Sequence, residues 1–521
     1  MKQIKKCAVL ALCAIMTVAS VGLAACDKSI DYSHPDRVSV YETTGTKSSL
    51  LSRKTSIGFS AFGGEDYTRQ TVYVDTSELY QEYVGYGASM THASAHLLSE
   101  ADDDTRADIL YDLYSRDGAN LSVVRIPVGA SDYIDGSEYF TCDDLPSGQT
   151  DRELEHFNLD HDGEIIAVLK EIIEINPSVK FMASPWSAPA WMKENESLVG
   201  GGGLKSDMYE VYADYLVKFV EEYGKQGINI SMITLLNEPS VGALSYPTMN
   251  MTAVEAAMLT ELTGDRLVAE GLDVDIISWD FNYGSSSGAF ADTYFEQIYE
   301  EYADTAGKYS HTVGFHGYDG DGYFNPDMMY GMKDGIEKVS KDYGKKSLIT
   351  EITESAAGTD FASNLTYACK NIVVNPCAVQ TDADDNAWNG AGGALYWNYV
   401  LTSDGQPTPA YHGNECYGVI SLDAVTRQGK TVYKYSKSSA YYAMAQVSKF
   451  LYDVDGKHCY GLKATTEYVD LNVMSFYRND GAVIVVVCNT NETNDAPLDV
   501  VIDGKKISYE MKPQSVVTFV C

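Results

Sequence analysis

Apolar runs alternate with helix-like stretches eight times along the chain, and this alternation constrains the fold more than any other feature. A strand predicted near Tyr83 comes first, and seven runs follow it at residues 121–128, 179–183, 230–236, 274–279, 311–315, 347–350 and 391–399. Between most of them lie helix-like stretches, including 165–175, 209–223, 252–270, 291–302 and 334–343, and a helix is expected from the first strand to about Tyr114. Eight successive strand and helix units favour an α/β fold, a closed (β/α)8 TIM barrel, over an open doubly wound sheet.

The pattern changes after about residue 432, where strand-like alternation replaces the helical stretches. Residues 468–476, 483–488, 498–502, 507–511 and 515–520 have this period, and turn residues separate them. We expect an antiparallel β-sandwich, completed by early N-terminal strands. The predicted domains are a signal peptide (1–25), a tether with a first side-domain strand (26–55), strands leading into the barrel (56–80), the catalytic barrel (81–431) and the C-terminal sandwich (432–521).

The first 25 residues are interpreted as a targeting segment. Three lysines precede an apolar run at residues 7–23, and the run ends in LAAC at residues 23–26. A cysteine in this position resembles the signal of a bacterial lipoprotein, which implies cleavage before Cys26 and acylation of its thiol. An ordinary signal peptide is the alternative. The sequence therefore predicts an extracytoplasmic protein that contacts the membrane only through a lipid anchor, or else a secreted one.

The charge balance excludes one class of partner. The chain of 521 residues has 38 Lys and Arg against 74 Asp and Glu, a formal net charge of −36, so its surface repels nucleic acid. Neutral sugars are unaffected, and the 39 tyrosines and 5 tryptophans offer flat faces for them. Seven cysteines remain beyond Cys26, without metal-ligand spacing. One or two disulfides are possible.

Two glutamates are the catalytic candidates. Glu238 follows the fourth apolar run within LNEP (236–239), and Glu351 ends the seventh within ITE (349–351). Strands four and seven of an eight-stranded barrel face each other across its mouth, so the two carboxyl groups could meet there. A retaining glycosidase needs two carboxyl groups about 5–5.5 Å apart. The alternative is that Asn-Glu-Pro is only a turn.

Further motifs make the similarity specific. SPWSAPAWMK (184–193), VRIP (124–127), FHGY (315–318), QEYVGYG (81–87) and SKF (448–450) accompany the two glutamate motifs. In this order they resemble glycoside hydrolase family 30, in its glucosylceramidase-like branch, from about Val38 to the C-terminus. The resemblance implies a retaining β-glycosidase without a cofactor, acting on a β-linked glycoside, oligosaccharide or glycolipid.

The resemblance also implies roles for individual residues. Glu238 would be the general acid/base, with a pKa raised toward neutrality, and Glu351 the ionised nucleophile. Arg125 would support the nucleophile through a charge-assisted hydrogen bond, and Asn237 would bind the sugar 2-hydroxyl. The remaining substrate-binding residues would be Trp186, Trp397, His316, Tyr318 and His92.

His92 departs from the family pattern. Glucosylceramidases carry an aspartate at this place, which accepts hydrogen bonds from sugar hydroxyls, and a histidine cannot clamp two hydroxyls in the same way. Glucose in the first subsite is therefore not assured. His92 and His96 lie one helical turn apart, but no third ligand is evident nearby, and no metal is expected.

Several functions stay open. The leading one is a glucosylceramidase or β-glucosidase-like activity, and the alternatives are an endo-β-1,6-glucanase or galactanase, a β-xylosidase and a β-fucosidase. A glycan-binding lipoprotein without activity and a metal-dependent hydrolase are remoter. A glycine run at residues 200–203 suggests a mobile loop over the cleft, whose shape would separate exo from endo action.

Overall fold

The computed structural model describes residues 37–284, 288–318, 328–353, 360–409, 416–453 and 457–521. The predicted signal peptide and Cys26 lie outside the described residues. Five strands precede the barrel: β1 (Arg37–Thr44), β2 (Ser52–Arg53), β3 (Ile57–Gly58), β4 (Ser60–Ala61) and β5 (Gln70–Asp75). Among the described residues, no helix is long and apolar enough to cross a membrane.

Parallel strands form the barrel, which confirms the predicted fold. They are β6 (Gly85–Ser89), β7 (Val123–Val128), β8 (Lys180–Pro185), β9 (Ile230–Thr234), β10 (Asp275–Ile277), β11 (Asp280–Asn282), β12 (Thr312–His316), β13 (Lys346–Ile352) and, after the short hairpin of β14 (Gln380–Thr381) and β15 (Ala387–Trp388), β16 (Gly393–Tyr396). Their order in the sheet is β10-β9-β8-β7-β6-β16-β13-β12-β11. Its two ends, β10 and β11, are successive parts of the fifth barrel strand, so the sheet closes on itself.

Helices cover the outside of the barrel. They are α1 (His92–Glu100), α2 (Asp103–Tyr114), α3 (Gly163–Ile175), α4 (Tyr209–Lys225), α5 (Ala253–Ala269), α6 (Gly288–Glu296), α7 (Met328–Tyr343) and α8 (Phe361–Tyr367), followed later by α9 (Ser439–Ser448). Short 3-10 turns lie at Asp160–Asp162 and Ala190–Met192, and π-helical turns at Gln297–Glu301 and Ala368–Val374. The helix expected to reach Tyr114 is two helices, because Asp102 caps α2 by accepting a hydrogen bond from the Thr105 N–H at 3.0 Å.

Apolar side chains fill the interior of the barrel. Val123, Met182, Met232, Ile277, Leu348 and Leu395 form one buried cluster contributed by six strands. Because neighbouring residues on a strand point to opposite faces, the flanking side chains pack instead against the helices. The barrel interior is therefore a solid core, and chemistry is confined to the ends of the strands.

The sandwich combines strands from both ends of the chain, as predicted. The C-terminal strands are β20 (Tyr460–Thr465), β21 (Leu471–Tyr477), β22 (Val483–Asn489), β23 (Ala496–Ile502), β24 (Lys505–Met511) and β25 (Ser515–Val520), after β17 (Val400–Leu401), β18 (Ile420–Arg427) and β19 (Lys430–Lys437). β1 pairs with β25 and β5 with β20 and β23. The predicted domain limit at 431/432 falls inside the hairpin of β18 and β19, which pairs with β17.

Candidate active site

Polar side chains converge where the barrel strands end. Arg125 lies in β7, Asp280 in β11, His316 in β12 and Glu351 in β13, while Glu238 lies in the segment after β9. The carboxyl ends of parallel strands share one end of a barrel, so residues far apart in the chain meet there. All five side chains belong to one network of hydrogen bonds and ion pairs.

The two predicted catalytic glutamates face each other. A carboxylate oxygen of Glu238, one of Glu351 and a ring nitrogen of His316 all lie within 4.8 Å of one another. This separation suits the double displacement of a retaining glycosidase, and it leaves no room for the water that an inverting enzyme places between carboxyl groups about 6.5–9.5 Å apart. The Glu351 residue is 6% exposed.

The backbone around Glu238 is held on both sides. The Asn237 N–H donates to the Pro185 carbonyl at 2.7 Å, and the Glu238 N–H donates to the Asp280 carbonyl at 2.9 Å. Glu238 has a φ of +48°, in the left-handed region that a side chain with a Cβ seldom occupies. The neighbouring strands β8 and β11 therefore hold a strained residue in place, which is common at functional sites.

Arg125 is the buried cation of the site. Its guanidinium donates to a Glu351 carboxylate oxygen, to Asn237 Oδ1 at 2.7 Å and to Asp280 Oδ2 at 3.0 Å. Burial would lower the pKa of Arg125, but Asp280 and Glu351 raise it above its ordinary value. Burial would raise the pKa of Asp280, but Arg125 and His316 hold it well below its usual range. The guanidinium therefore stays charged and orients both Glu351 and Asn237.

Asp280 is a site residue that the sequence analysis missed. Its side chain is 1% exposed and bridges Arg125 and His316, and it also accepts a hydrogen bond from Ser184 Oγ at 2.7 Å. The sequence signal was its place directly after the fifth apolar run, which was predicted to end at residue 279. In the structure the fifth barrel strand breaks after β10 and resumes as β11 at Asp280.

His316 lies beneath the glutamates rather than at the surface of the pocket. It is fully buried, and its Nδ1 lies 3.1 Å from Glu238 Oε1 and its Nε2 3.0 Å from Asp280 Oδ1. Burial would lower the pKa of His316, but Glu351, Asp280 and Glu238 raise it to about 9. The imidazolium present at neutral pH donates one N–H to each carboxylate. Both nitrogens are thus occupied, which disfavours a metal ion among these three residues.

Burial makes Glu351 hold its proton more tightly than an exposed carboxyl group does. Burial raises the pKa of Glu351 to about 7, against the opposing effects of His316 and Arg125 and with further raising by Glu238 and Asp132. The resemblance predicts the raised pKa at Glu238 instead. Glu351 must therefore lose its proton before it can attack the anomeric carbon.

Two indole rings form a wall of the pocket. Trp186 and Trp397 stack with ring centroids 5.2 Å apart and an interplanar angle of 26°, and the Arg125 guanidinium lies 4.8 Å and 5.6 Å from them. Tyr133 meets Trp397 edge to face at 5.9 Å. Both rings thus lie against the Arg125 guanidinium, and both residues line the pocket.

The pocket over the glutamates gathers most of the predicted residues and adds others. Its lining consists of Asp132, Trp186, Asn237, Glu238, Tyr246, Tyr318, Glu351, Thr353, Trp397 and Cys416. Asp132 and Tyr246, which the sequence analysis did not single out, come from long loops whose path no local pattern predicts. Tyr318 is placed by its N–H, which donates to Asn282 Oδ1 at 3.0 Å.

The structure does not bring His92 to the pocket lining. Its ring is 5% exposed, meets Phe140 edge to face at 4.9 Å, and has Nε2 2.8 Å from Asp162 Oδ1. The orientation arises because Asp162 is buried beside it. A direct sugar contact by His92 remains a prediction. His96 instead lies near Glu164, at 3.3 Å, so the two histidines do not share a ligand site.

The loop after β8 is firmly attached to the next loop. Lys193 is buried, which lowers its pKa to about 7, and its Nζ donates to the Thr248 carbonyl at 2.7 Å. In the glycine run predicted to be mobile, the Gly200 N–H donates to the Ala243 carbonyl at 2.7 Å and the Gly202 carbonyl accepts from the Asn250 N–H at 2.9 Å. These bonds hold the segment that carries Tyr246 beside the pocket. In the described residues Cys142, Cys369, Cys377, Cys459, Cys488 and Cys521 are free thiols.

Two family models match the chain. The model described as "Glycosyl hydrolase family 30 TIM-barrel domain" matches residues 83–451, and "Glycosyl hydrolase family 30 beta sandwich domain" matches residues 461–519. Together they cover the barrel and the C-terminal part of the sandwich.

Curated relatives and solved structures agree with these matches. The chain is 29% identical to the endo-1,6-beta-D-glucanase neg1 of Aspergillus fumigatus over 482 residues, 88% of each chain. It is 23% identical to the lysosomal acid glucosylceramidase of Mus musculus over 81% of this chain and 77% of that one. The structure of the endo-beta1,6-glucanase BT3312 superposes with a TM-score of 0.76 at 23% identity, over 93% of this chain and 98% of that chain, which shows a common fold.

Proposed function

This chain belongs to glycosyl hydrolase family 30, and we propose that it hydrolyses the β-1,6-glucosidic bonds of a glucan with retention of configuration. It is a glycoside hydrolase. The observation that carries the mechanism is the approach of the Glu238 and Glu351 carboxylates to within 4.8 Å. That geometry allows one carboxylate to attack while the other protonates, on opposite sides of one glycosidic bond.

In the first step, a Glu351 oxygen forms a bond to the anomeric carbon as the bond to the leaving oxygen breaks. Glu238 transfers its proton to that oxygen, and the sugar stays attached to Glu351 as an ester. In the second step, Glu238 takes a proton from water, and the water oxygen displaces Glu351 from the anomeric carbon. Arg125 holds the attacking carboxylate, and the amide of Asn237, fixed by the same guanidinium, binds the sugar 2-hydroxyl.

Similarity supports the choice of substrate. The relative at 29% identity over 88% of both chains is an endo-1,6-beta-D-glucanase. Glucosylceramide is the second candidate, since the chain is also similar to a lysosomal acid glucosylceramidase.

A panel of β-linked substrates tests this proposal. We expect the purified protein to release reducing ends from β-1,6-glucan and to cleave an aryl β-glucoside, with lower turnover of glucosylceramide, β-1,4-xylan and β-1,6-galactan. Nuclear magnetic resonance of the first product should show the β-anomer, because two displacements retain configuration. Turnover of α-linked substrates alone, or release of the α-anomer, would contradict the mechanism. Glucosylceramide as the preferred substrate would contradict only the choice of glucan.

Asp132 is a third carboxylate of the pocket lining, beside Glu238 and Glu351, and it is a candidate to bind a sugar hydroxyl. It lines the pocket with the two tryptophans and raises the pKa of Glu351 through its charge, after the larger effect of burial. A charged hydrogen bond to a sugar hydroxyl is worth about 1.5–3 kcal/mol. In the same panel, Asp132→Asn should lower kcat/KM for β-1,6-glucan by roughly 10- to 100-fold. Asp135→Asn, an exposed change in the same loop, is the matched control, and equal activities would remove Asp132 from the subsite.

We propose that the mature chain begins at an acylated Cys26. The support is the LAAC sequence after a basic and apolar segment. Mass spectrometry of the N-terminal peptide from bacterially produced protein would detect the lipid on the Cys26 thiol. A mature terminus at any other residue would contradict the anchor without affecting the catalytic proposal.

A further inference from the structure

A second cluster of charged side chains lies away from the catalytic glutamates, in the loop between β7 and α3. Asp143, Asp151 and His156 each offer one ligand atom, and these three atoms lie within 4.8 Å of one another. Asp143 and Asp151 are buried, and the His156 side chain is 65% exposed. Two members of the cluster are therefore buried, and solvent reaches the third.

Asp143 is the unusual member of the cluster. The residue is fully buried, and neither of its carboxylate oxygens has a hydrogen-bond partner among the described residues. Leaving a buried polar group unpaired is costly, and such groups are rare in folded proteins. The next residue, Asp144, shows the ordinary arrangement, because both of its oxygens accept hydrogen bonds from Thr141 at 2.7 Å.

A proton alone does not satisfy Asp143. Protonation would supply one O–H donor without an acceptor and would leave the other oxygen as it was. A cation between Asp143 and Asp151 would instead occupy oxygens of both carboxylates.

The surroundings favour a positive ion. One Asp151 oxygen accepts hydrogen bonds from the His156 ring at 2.9 Å and from the His156 backbone N–H at 2.6 Å. The charge of Lys218 acts on Asp143, but its Nζ donates to the Leu154 carbonyl at 2.5 Å and makes no hydrogen bond to Asp143.

We propose that Asp143, Asp151 and His156 bind one divalent transition-metal ion that braces the loop of residues 129–159. An imidazole with two carboxylates suits Zn²⁺ or Mn²⁺, with water completing the coordination. Ca²⁺ and Mg²⁺ take oxygen ligands almost throughout, so the histidine disfavours them. The ion would replace the proton on His156 that now bonds to Asp151, and the exposed ring would give it an entry path.

The loop connects this site to the pocket. The Asp143 carbonyl accepts a hydrogen bond from Trp191 Nε1 at 2.9 Å, and the Ala130 N–H donates to the Phe140 carbonyl at 2.9 Å. The same loop carries Asp132 and Tyr133, which lie in the pocket and against Trp397. A bound ion would thus stabilise the loop that shapes one side of the pocket while taking no part in bond cleavage.

The test measures bound metal and thermal unfolding of the protein purified without a histidine tag. After incubation with ZnCl₂ or MnCl₂ and desalting, elemental analysis should find one equivalent of Zn²⁺ or Mn²⁺, and the unfolding midpoint should rise by a few degrees and fall again with EDTA. Asp143→Asn and His156→Gln should each lose the equivalent and the shift. His311→Gln, which changes an exposed histidine outside the cluster, should keep both.

Three results would overturn the proposal. One is bound metal that both cluster variants retain. Another is stabilisation by Ca²⁺ that His156→Gln leaves unchanged, because the histidine would then not be a ligand. The third is a wild-type protein that no ion stabilises. Because His156 is exposed, its substitution leaves the fold intact even if Asp143→Asn fails to fold. Hydrolytic activity does not enter these readouts, so the site and the catalytic proposal are tested separately.

Discussion

Replacing Glu351 with glutamine should lower kcat for an aryl β-glucoside on the order of 10⁴- to 10⁶-fold, because the amide cannot form the covalent ester. Glutamine has almost the same shape and can still accept a hydrogen bond from Arg125, so the fold should persist. Steady-state kinetics on the purified variant measure the loss, and circular dichroism measures the fold. Glu100→Gln, an exposed glutamate in α1, is the control and should have wild-type kinetics.

The adduct itself gives a second reading of the same prediction. A fluorine at the sugar 2-position slows both steps by destabilising positive charge at the anomeric carbon, so a good leaving group allows the ester to accumulate. Peptide mapping should then find the added sugar on Glu351 in the wild type and on no peptide of the variant. A variant that keeps more than about one-hundredth of the activity, or an adduct on another residue, would place the nucleophile elsewhere.

Replacing Glu238 with glutamine should have an effect that depends on the leaving group. For β-1,6-glucan, whose leaving sugar alcohol needs a proton, kcat should fall about 10²- to 10⁴-fold. For a dinitrophenyl β-glucoside the first step needs little acid, so the ester forms and its hydrolysis becomes slow. KM should then fall together with kcat. Azide needs no general base, so it should restore turnover and give a β-glucosyl azide.

The pH dependence follows from the raised pKa of Glu351. Because burial raises this pKa to about 7, the carboxyl group keeps its proton below pH 7 and becomes a nucleophile only as the pH rises through that value. Wild-type kcat/KM on β-1,6-glucan should therefore decline on the acid side. Glu238→Gln acting on the dinitrophenyl substrate should keep this decline, because the same carboxylate attacks. Equal losses on both substrates, or no rescue by azide, would contradict the acid/base role.

Much of the site could be predicted because it depends on local patterns. Glu351 and Arg125 are strand residues within apolar runs, and their place at the mouth follows once eight units close into a barrel. The sequence identified Glu238 by its position just after the fourth apolar run. It did not predict the left-handed backbone conformation of this residue. Trp186 and Trp397 were identified through motifs, and the structure adds that their rings stack.

Other site residues could not be predicted, for physical reasons that differ. Asp280 lies after a break in the fifth strand, where the apolar period stops before the strand does. Asp132 is carried by a long loop whose path depends on packing against distant residues. His316 was expected to line the pocket, but its burial and its two carboxylate partners make it a charged support beneath the glutamates.

The amino-acid sequence alone determined the barrel, the sandwich and the pair of glutamates, because side-chain periodicity and strand ends are local properties of a chain. Only the tertiary structure decided which charges touch. The raised pKa of Glu351 and its contact with the buried Arg125 depend on distances of a few ångströms between residues more than a hundred positions apart. The unpaired carboxylate of Asp143 depends on the burial of a loop. Electrostatic energy changes steeply over such distances in a buried site, and no local pattern encodes it.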